Sequence, residues 1–221
     1  GDTLTIASST DTPTLAITSS DADLVAGATA TVTFTFSEAP TGFDATDVTT
    51  TGGTLSALTV NETDAKIYTA TFTPDVDSTA AASITVSTDY ADAAGNTVVA
   101  GATPTITIDT IAPTPVLAIA DGEDALVNAA ETNVTLVYTD TAMAAGDVIQ
   151  LKVGAVALGS THTVTAEDVT TGSVSLTVAR ADLGSDGEKL VTAEATDLAG
   201  NVGTSTVLTL ALDTVAPTVT I

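Results

Sequence analysis

Apolar and polar residues alternate along this chain in short bursts. Val32, Phe34 and Phe36 share one phase with Thr between them, and Tyr68, Ala70 and Phe72 share another. Because successive side chains on a strand point to opposite faces, each burst reads as a strand with one face buried and its Thr residues toward water. Gly, Asp, Asn and Pro separate the bursts as turn residues do. In the first half the pattern predicts strands near 14–19, 29–36, 46–51, 54–60, 66–73, 82–88 and 103–109. In the second half it predicts strands near 115–120, 132–139, 147–153, 161–169, 172–178, 188–196 and 204–212. There, Val134, Leu136 and Tyr138 are expected to face Val174, Leu176 and Val178, with Val191, Ala193 and Ala195 as a third inward row. Residues 179–184 have room for one helical turn, and no segment sustains a 3.6-residue period.

The two halves are linked by a repeat. Asp109-Thr110-Ile111-Ala112-Pro113-Thr114 recurs 104 residues later as Asp213-Thr214-Val215-Ala216-Pro217-Thr218, with a weaker form at Asp11-Thr12-Pro13-Thr14. Asp92-Ala93-Ala94-Gly95-Asn96 recurs 105 residues later as Asp197-Leu198-Ala199-Gly200-Asn201. Two signatures with one order and one spacing define a module. Seven strands per module then predict an all-β chain: two tandem immunoglobulin-like Greek-key β-sandwiches arranged end to end as a rod. The boundaries read as 11–110 for module one and 111–217 for module two. Residues 1–10 are expected to be the tail of a preceding module, and 218–221 the start of the next.

Composition narrows the partners. The chain has 28 Asp and Glu against 4 Lys and Arg, a formal charge of −24, which excludes nucleic-acid backbones and anionic membranes and makes cations the natural counter-charge. With 44% hydrophobic residues and a mean hydropathy of +0.39 it is too apolar for a disordered acidic tail. No apolar run approaches the roughly 18 residues of a membrane span. Gly1 does not open a signal peptide, so an excised, soluble, monomeric piece without direct membrane insertion is expected. There is no Cys, which leaves the compartment open.

Strands that alternate in direction sort their loops onto two poles. On that reasoning Asp21 and Asp23 from the first loop, Asp75 and Asp77 from the fifth, and Asp109 at the exit gather at the lower pole of module one. Asp197 and Asn201, with Asp140, face them from module two. Oxygen ligands converging from loops suit Ca²⁺, which takes six to eight of them in flexible geometry, so an inter-module calcium site is expected here. Asp11, Asp92 and Asn96 form the corresponding set at the upper end of the chain. Asp121, Glu123, Asp124, Asp186 and Asp213 form the one at its lower end. A cation at these poles relieves carboxylate repulsion, and Pro113 keeps the linker short and stiff. The competing reading of Asp-x-Ala-Gly-Asn is a turn closed by an Asp side-chain hydrogen bond, with Gly at positive φ.

The Asp-Thr-x-Ala-Pro-Thr linker, the Ala-Thr-Asp-Leu-Ala-Gly-Asn run at 195–201 and the Ala-Thr-Val-Thr-Phe-Thr-Phe-Ser-Glu-Ala-Pro run at 30–40 resemble bacterial Ig-like repeats of giant surface proteins. These include biofilm-associated adhesins and calcium-dependent RTX adhesins, among them the ice-binding type. The resemblance covers nearly the whole chain. It implies extender modules exported by type I secretion to the bacterial cell surface, linkers stiffened by calcium, neighbouring modules as the partners within the chain, and adhesive domains elsewhere. The Gly-rich nonapeptides that give RTX proteins their name do not occur in this sequence. A rival reading makes module two, with its longer 139–147 and 179–188 loops, a binder of glycan or protein.

An enzyme is not expected. His162 is the only histidine, in an alternating run that reads as an exposed strand, and with no Cys the usual triads and zinc sites cannot be assembled. Paired carboxylates alone would suggest glycoside hydrolysis, but the loops that carry them lack aromatic platforms for sugar.

Overall fold

A computed structural model describes residues 10–99 and 101–218. The tail expected at the N-terminus (residues 1–9) and most of the next module's start (219–221) lie outside the described residues. The chain divides into two compact units, 1–111 and 112–221.

Unit one contains β1 (Leu15–Ser19), β2 (Asp23–Val25), β3 (Ala30–Phe36), β4 (Pro40–Thr41), β5 (Val48–Thr51), β6 (Gly53–Leu55), β7 (Thr59–Val60), β8 (Ile67–Pro74), β9 (Ser83–Val86), β10 (Ala91–Asp92) and β11 (Thr107–Asp109). One layer is the antiparallel series β1-β3-β8-β6, with β7 also on β8. In the other layer β5 pairs with β9, β11 pairs in parallel with β2, and a bridge from Ala82 to Ile106 joins the two pairs. The predicted phases hold: Val32, Phe34, Phe36, Ala70 and Phe72 are buried. Phe43, Phe36, Tyr68 and Tyr90 add an edge-to-face aromatic cluster in the same core. The strand expected over 54–60 breaks into β6 and β7. Gly53 begins β6 because a Cβ there would lie 2.4 Å from the Thr73 carbonyl and 2.5 Å from the Phe72 ring.

Unit two contains β12 (Val116–Ile119), β13 (Leu126–Asn128), β14 (Asn133–Thr139), β15 (Val148–Val153), β16 (Val156–Thr163), α1 (Ala166–Thr171), β17 (Val174–Ala179), β18 (Gly187–Thr196), β19 (Val202–Thr204) and β20 (Leu208–Asp213), with a 3-10 turn at Arg180–Leu183 where a helical turn was expected. Its layers are β12-β14-β17 and β13-β20-β18-β15-β16. Val134, Leu136 and Tyr138 do not face Val178, Leu176 and Val174; they are paired with them side by side in one sheet. The opposing layer is supplied by Ile149, Leu151, Val191, Ala193, Ala195, Leu210 and Leu212, all buried.

Two local signals redraw the second unit. The strand expected over 161–169 ends at Thr163, and α1 follows, because Thr165 and Asp168 form a reciprocal capping box and Gly172 closes the helix at φ 75°. Gly154, at φ 60°, turns β15 directly back into β16 as a hairpin, so the fourth strand stays on the β15 layer. In unit one the corresponding strand, β6, crosses to β8 on the opposite layer. The modules are therefore different subtypes of one sandwich.

Candidate metal sites at the module poles

Each unit splits its first strand, and this split relocates two predicted acidic sets. β2 runs parallel to β11 with Asp23 opposite Thr107 and Val25 opposite Asp109. Asp23 therefore stands two residues, about 7 Å of strand, above Asp109, and Asp21 lies higher still. Both belong to the switch between β1 and β2, where Asp21 Oδ1 accepts from the Asp23 amide at 3.2 Å. The turn that reaches the pole is the one at Ala26–Gly27, with Gly27 at φ 78°. In unit two, Asp121, Glu123 and Asp124 occupy the same switch, since β13 runs parallel to β20 with Asn128 opposite Asp213. Asp124 accepts from the Leu126 amide and Glu123 from the Thr135 amide, at 2.8 and 2.6 Å. At the pole itself sequence reading overlooked Asn128 and Glu131, whose Oε2 accepts from the Asn128 amide at 2.6 Å.

The strand exits are tied down by the Thr of the Asp-Thr repeat. Thr110, only 5% exposed, donates from Oγ1 to the Asp75 carbonyl at 2.7 Å and accepts from the Ser78 amide at 2.9 Å. Its own amide donates to the Ser78 carbonyl. This holds the Asp75–Ser78 loop, with Asp77 at φ 50°, against Asp109, whose Oδ1 accepts from the Ile111 amide. In unit two, the Thr214 amide and hydroxyl both donate to Asp186, at 3.0 and 2.8 Å. Asp213 repeats the Asp109 arrangement, accepting from the Val215 amide.

At the opposite pole the Asp-x-Ala-Gly-Asn loops are closed turns. Asp92 Oδ1 accepts from the amides of Ala94 and Asn96, both at 2.8 Å, and Oδ2 accepts from the Asn96 side-chain amide at 2.8 Å. That side-chain bond, the largest influence, holds the Asp92 carboxyl below its ordinary value. Asp197 repeats the pattern with Gly200 and Asn201, and Gly95 and Gly200 take φ 91° and 101°. The motif thus forms the turn closed by an Asp side chain. Asp11 lies two residues before Pro13, whose carbonyl accepts from the Val99 amide at the same end.

Beside Asp197, unit two carries a carboxylate that sequence reasoning missed. Asp147, which precedes β15, is 5% exposed. Its Oδ2 accepts from the Ala144 amide at 2.7 Å, and the carboxyl also accepts from the Leu198 backbone amide. Burial, then the negative charges of Asp197 and Asp140, push this carboxyl above its ordinary value. Asp140 accepts from the Tyr138 hydroxyl at 3.2 Å, and burial, followed by that carboxylate, raises the phenol. No sequence pattern marked Asp147, since Gly-Asp before a strand is ordinary turn chemistry. Among the described residues, no group of three Asp, Glu or His side chains converges closely enough to hold a metal ion through side chains alone. His162 is not a free surface residue: its Nε2 lies 3.0 Å from Asp168 Oδ2.

Residues 9–108 match a family model described as a bacterial Ig-like domain, and residues 111–214 match a second model of the same description. Among solved structures the chain is similar to a Ca²⁺-stabilized adhesin with which an Antarctic bacterium binds ice, at 30% identity over 95% of this chain and 51% of that one, TM-score 0.45. It is also similar to a 1.5-MDa bacterial ice-binding adhesin, at 26% identity over 91% and 65%, TM-score 0.43. A third is the Yersinia pseudotuberculosis adhesin InvE, at 18% identity over 91% and 58%, TM-score 0.36. The chain spans about half to two thirds of the length of these three structures. No curated protein matches it.

Proposed function

The chain is a tandem of two bacterial Ig-like domains, and from that premise we propose that it is a structural extender segment of a secreted bacterial surface adhesin. In this reading calcium stiffens the linker, a distal domain carries the adhesion, and the segment is non-enzymatic. The observation that carries it is the repeated exit: in each unit the last strand ends at the Asp of Asp-Thr, and the Thr is hydrogen-bonded to the loop before β9 in unit one and before β18 in unit two. A chain leaving from a pinned strand end, followed by Pro113 or Pro217, transmits direction instead of hinging freely. The charge of −24 supplies the counter-ion demand that calcium would meet. Extracellular display through type I secretion belongs to the same reading. Among the described residues no helix is long and apolar enough to cross a membrane.

Small-angle scattering and calorimetry in calcium and in chelator test this. Calcium should narrow the distribution of end-to-end distances and raise the melting temperature, since a ligand at 100 times its Kd stabilises by about 2.7 kcal/mol. Identical profiles and melting curves in chelator would refute it.

One observation favours the ligand-binding alternative. A cleft of about 290 Å³ opens in unit two between β16 and β17, lined by Ser160, Thr161, His162, Ser175, Thr177 and Asp182 over an apolar floor. Glycan-array binding that is lost on Thr161→Arg would favour that reading over the extender.

A further inference from the structure

We propose that the free edge of β5, with the cleft beside it, docks an extended peptide strand that carries Lys or Arg on either side of a neutral, aliphatic middle. The site lies wholly within module one and needs neither calcium nor the linker.

Two glycines leave the edge open. β5 pairs with β9 on one side and with no other strand among the described residues. Gly52, at φ 74°, and Gly53, where a Cβ would meet the Thr73 carbonyl, carry the chain across to β8, so no strand follows along the second side of β5. Antiparallel pairing alternates residues bonded to the partner strand with residues whose backbone groups face away. The Asp47 carbonyl accepts from the Ser87 amide, which makes Asp47, Thr49 and Thr51 the residues bonded to β9 and turns Val48 and Thr50 outward. The Val48 amide is taken by the Ala45 carbonyl. Along the edge stand the Val48 carbonyl and both backbone groups of Thr50, in the spacing that the backbone of another strand matches. Val48-Thr49-Thr50-Thr51 also has none of the charge, proline or bulge with which sheet edges are blunted.

Beside that edge the sandwich is not closed. A cleft of about 270 Å³ lies between β5 and the segment that carries β6, lined by Val48, Leu55 and Leu58 with Thr50 and Thr54. The three aliphatic side chains pack on the buried core of the module and are themselves only half-buried. A strand laid along β5 turns every second side chain inward, so an aliphatic residue of that strand enters the cleft and covers them. No charged or aromatic side chain lines the cleft to hold a phosphate or a sugar ring. In module two the matching layer has β16 on its edge, with Leu158 opposite Leu151 and 4% exposed. That pair shows what a strand in this place delivers to the core, a branched aliphatic side chain.

Charge selects the occupant. Residues 11–110 hold 13 acidic side chains and one cation, Lys66, which lies 4.0 Å from Asp64. Asp44 and Asp47 stand immediately before β5, and at its other end the Asp75 amide donates to the Gly52 carbonyl at 3.0 Å, so carboxylates bracket the edge. A second copy of this chain would set the same carboxylates against these across a two-fold and bring a further charge of −24, which disfavours self-pairing. A segment with a cation at each end of a neutral stretch as long as the four residues of β5 meets both acidic ends.

The experiment titrates the full chain into a fluorescein-labelled peptide, Lys-Thr-Leu-Thr-Val-Lys, and follows anisotropy, with amide hydrogen exchange read by NMR at Thr50. Two control peptides share its length: one has Glu in place of both Lys, and the other has N-methyl-leucine, which keeps the side chain and removes one backbone donor. The Lys peptide should bind and slow exchange at the Thr50 amide by about tenfold or more, and both controls should bind about tenfold or more weakly. Thr54→Arg, which puts a bulky cation in the cleft, should weaken the Lys peptide by a similar factor. Asp44→Asn keeps a residue that can cap the following turn and removes one charge, so it should weaken binding several-fold and flatten its salt dependence. Absence of binding, equal affinity for the N-methylated peptide, or binding that leaves the Thr50 amide unprotected would overturn the proposal. So would protection of Thr50 that rises with chain concentration in the absence of peptide, since a second copy would then be the occupant.

Discussion

Replacing Thr110 by Val removes one hydroxyl and keeps the β-branched shape. Two hydrogen bonds go with it, to the Asp75 carbonyl at 2.7 Å and from the Ser78 amide at 2.9 Å. A net intramolecular hydrogen bond contributes about 1 kcal/mol, so ~2 kcal/mol is at stake. Thr110 is buried, but Ser78 is half-buried and Asp75 exposed, so water can re-satisfy part of what is lost. The expected cost is therefore about 1–2 kcal/mol, below the penalty for fully buried orphans. For a domain of this size each kcal/mol moves Tm by roughly 4–8 °C, which places the drop at roughly 5–15 °C. Differential scanning calorimetry of the full chain should show it in one of two transitions, and Thr214→Val should shift the other. Thr110→Ser keeps the hydroxyl and should lose less than about 1 kcal/mol. If Thr110→Val costs no more than Thr110→Ser, or if both transitions move together, the exit is not held by that hydroxyl.

Gly203→Ala should displace the Pro113–Pro115 segment from module two, because its Cβ would fall 1.8 Å from the Pro113 carbonyl oxygen. A loss of about 1–3 kcal/mol in the module-two transition is expected, and an unchanged transition would mean that segment does not pack there. Asp109→Ala should leave both melting transitions within about 0.5 kcal/mol while broadening the calcium-state scattering distribution, and a scattering profile identical to wild type would contradict the linker role. On acidification, Asp168 is held at about 2, first by the Thr165 amide and then by His162. A folded value below the unfolded one means fewer protons bound in the folded state, so this stability is present above about pH 4 and lost as pH falls toward 2. Melting followed over that range should show module two losing stability, less so in Asp168→Asn, and a pH-independent module-two transition would refute the assignment.

The strands with long alternating runs were legible because period two has one solution when one face is buried: β3, β8 and β14 fall where Val32–Phe36, Tyr68–Phe72 and Val134–Tyr138 put them. What the pattern could not carry was which layer a strand joins. β6 follows β5 as β16 follows β15, and the hairpin at Gly154 against the close approach at Gly53 separates their fates. Helix α1 was written in Thr165-x-x-Asp168, a signal of two side chains that a seven-strand expectation outweighed. Five of the acidic residues stand away from the expected poles for a related reason. Sorting loops onto poles assumes each strand is continuous, whereas the parallel pairing of β2 with β11 and of β13 with β20 moves Asp21, Asp23, Asp121, Glu123 and Asp124 up the side of the sandwich. Asp147 lay beyond sequence reasoning altogether. Its distinction from Asp47 is the donor that reaches it from afar: the Ser87 hydroxyl, 40 residues on, in module one, and the Leu198 backbone amide in module two. Repeats therefore locate the module and its turns, while the chemistry that distinguishes one module from its neighbour rests on single donors that a shared motif does not record.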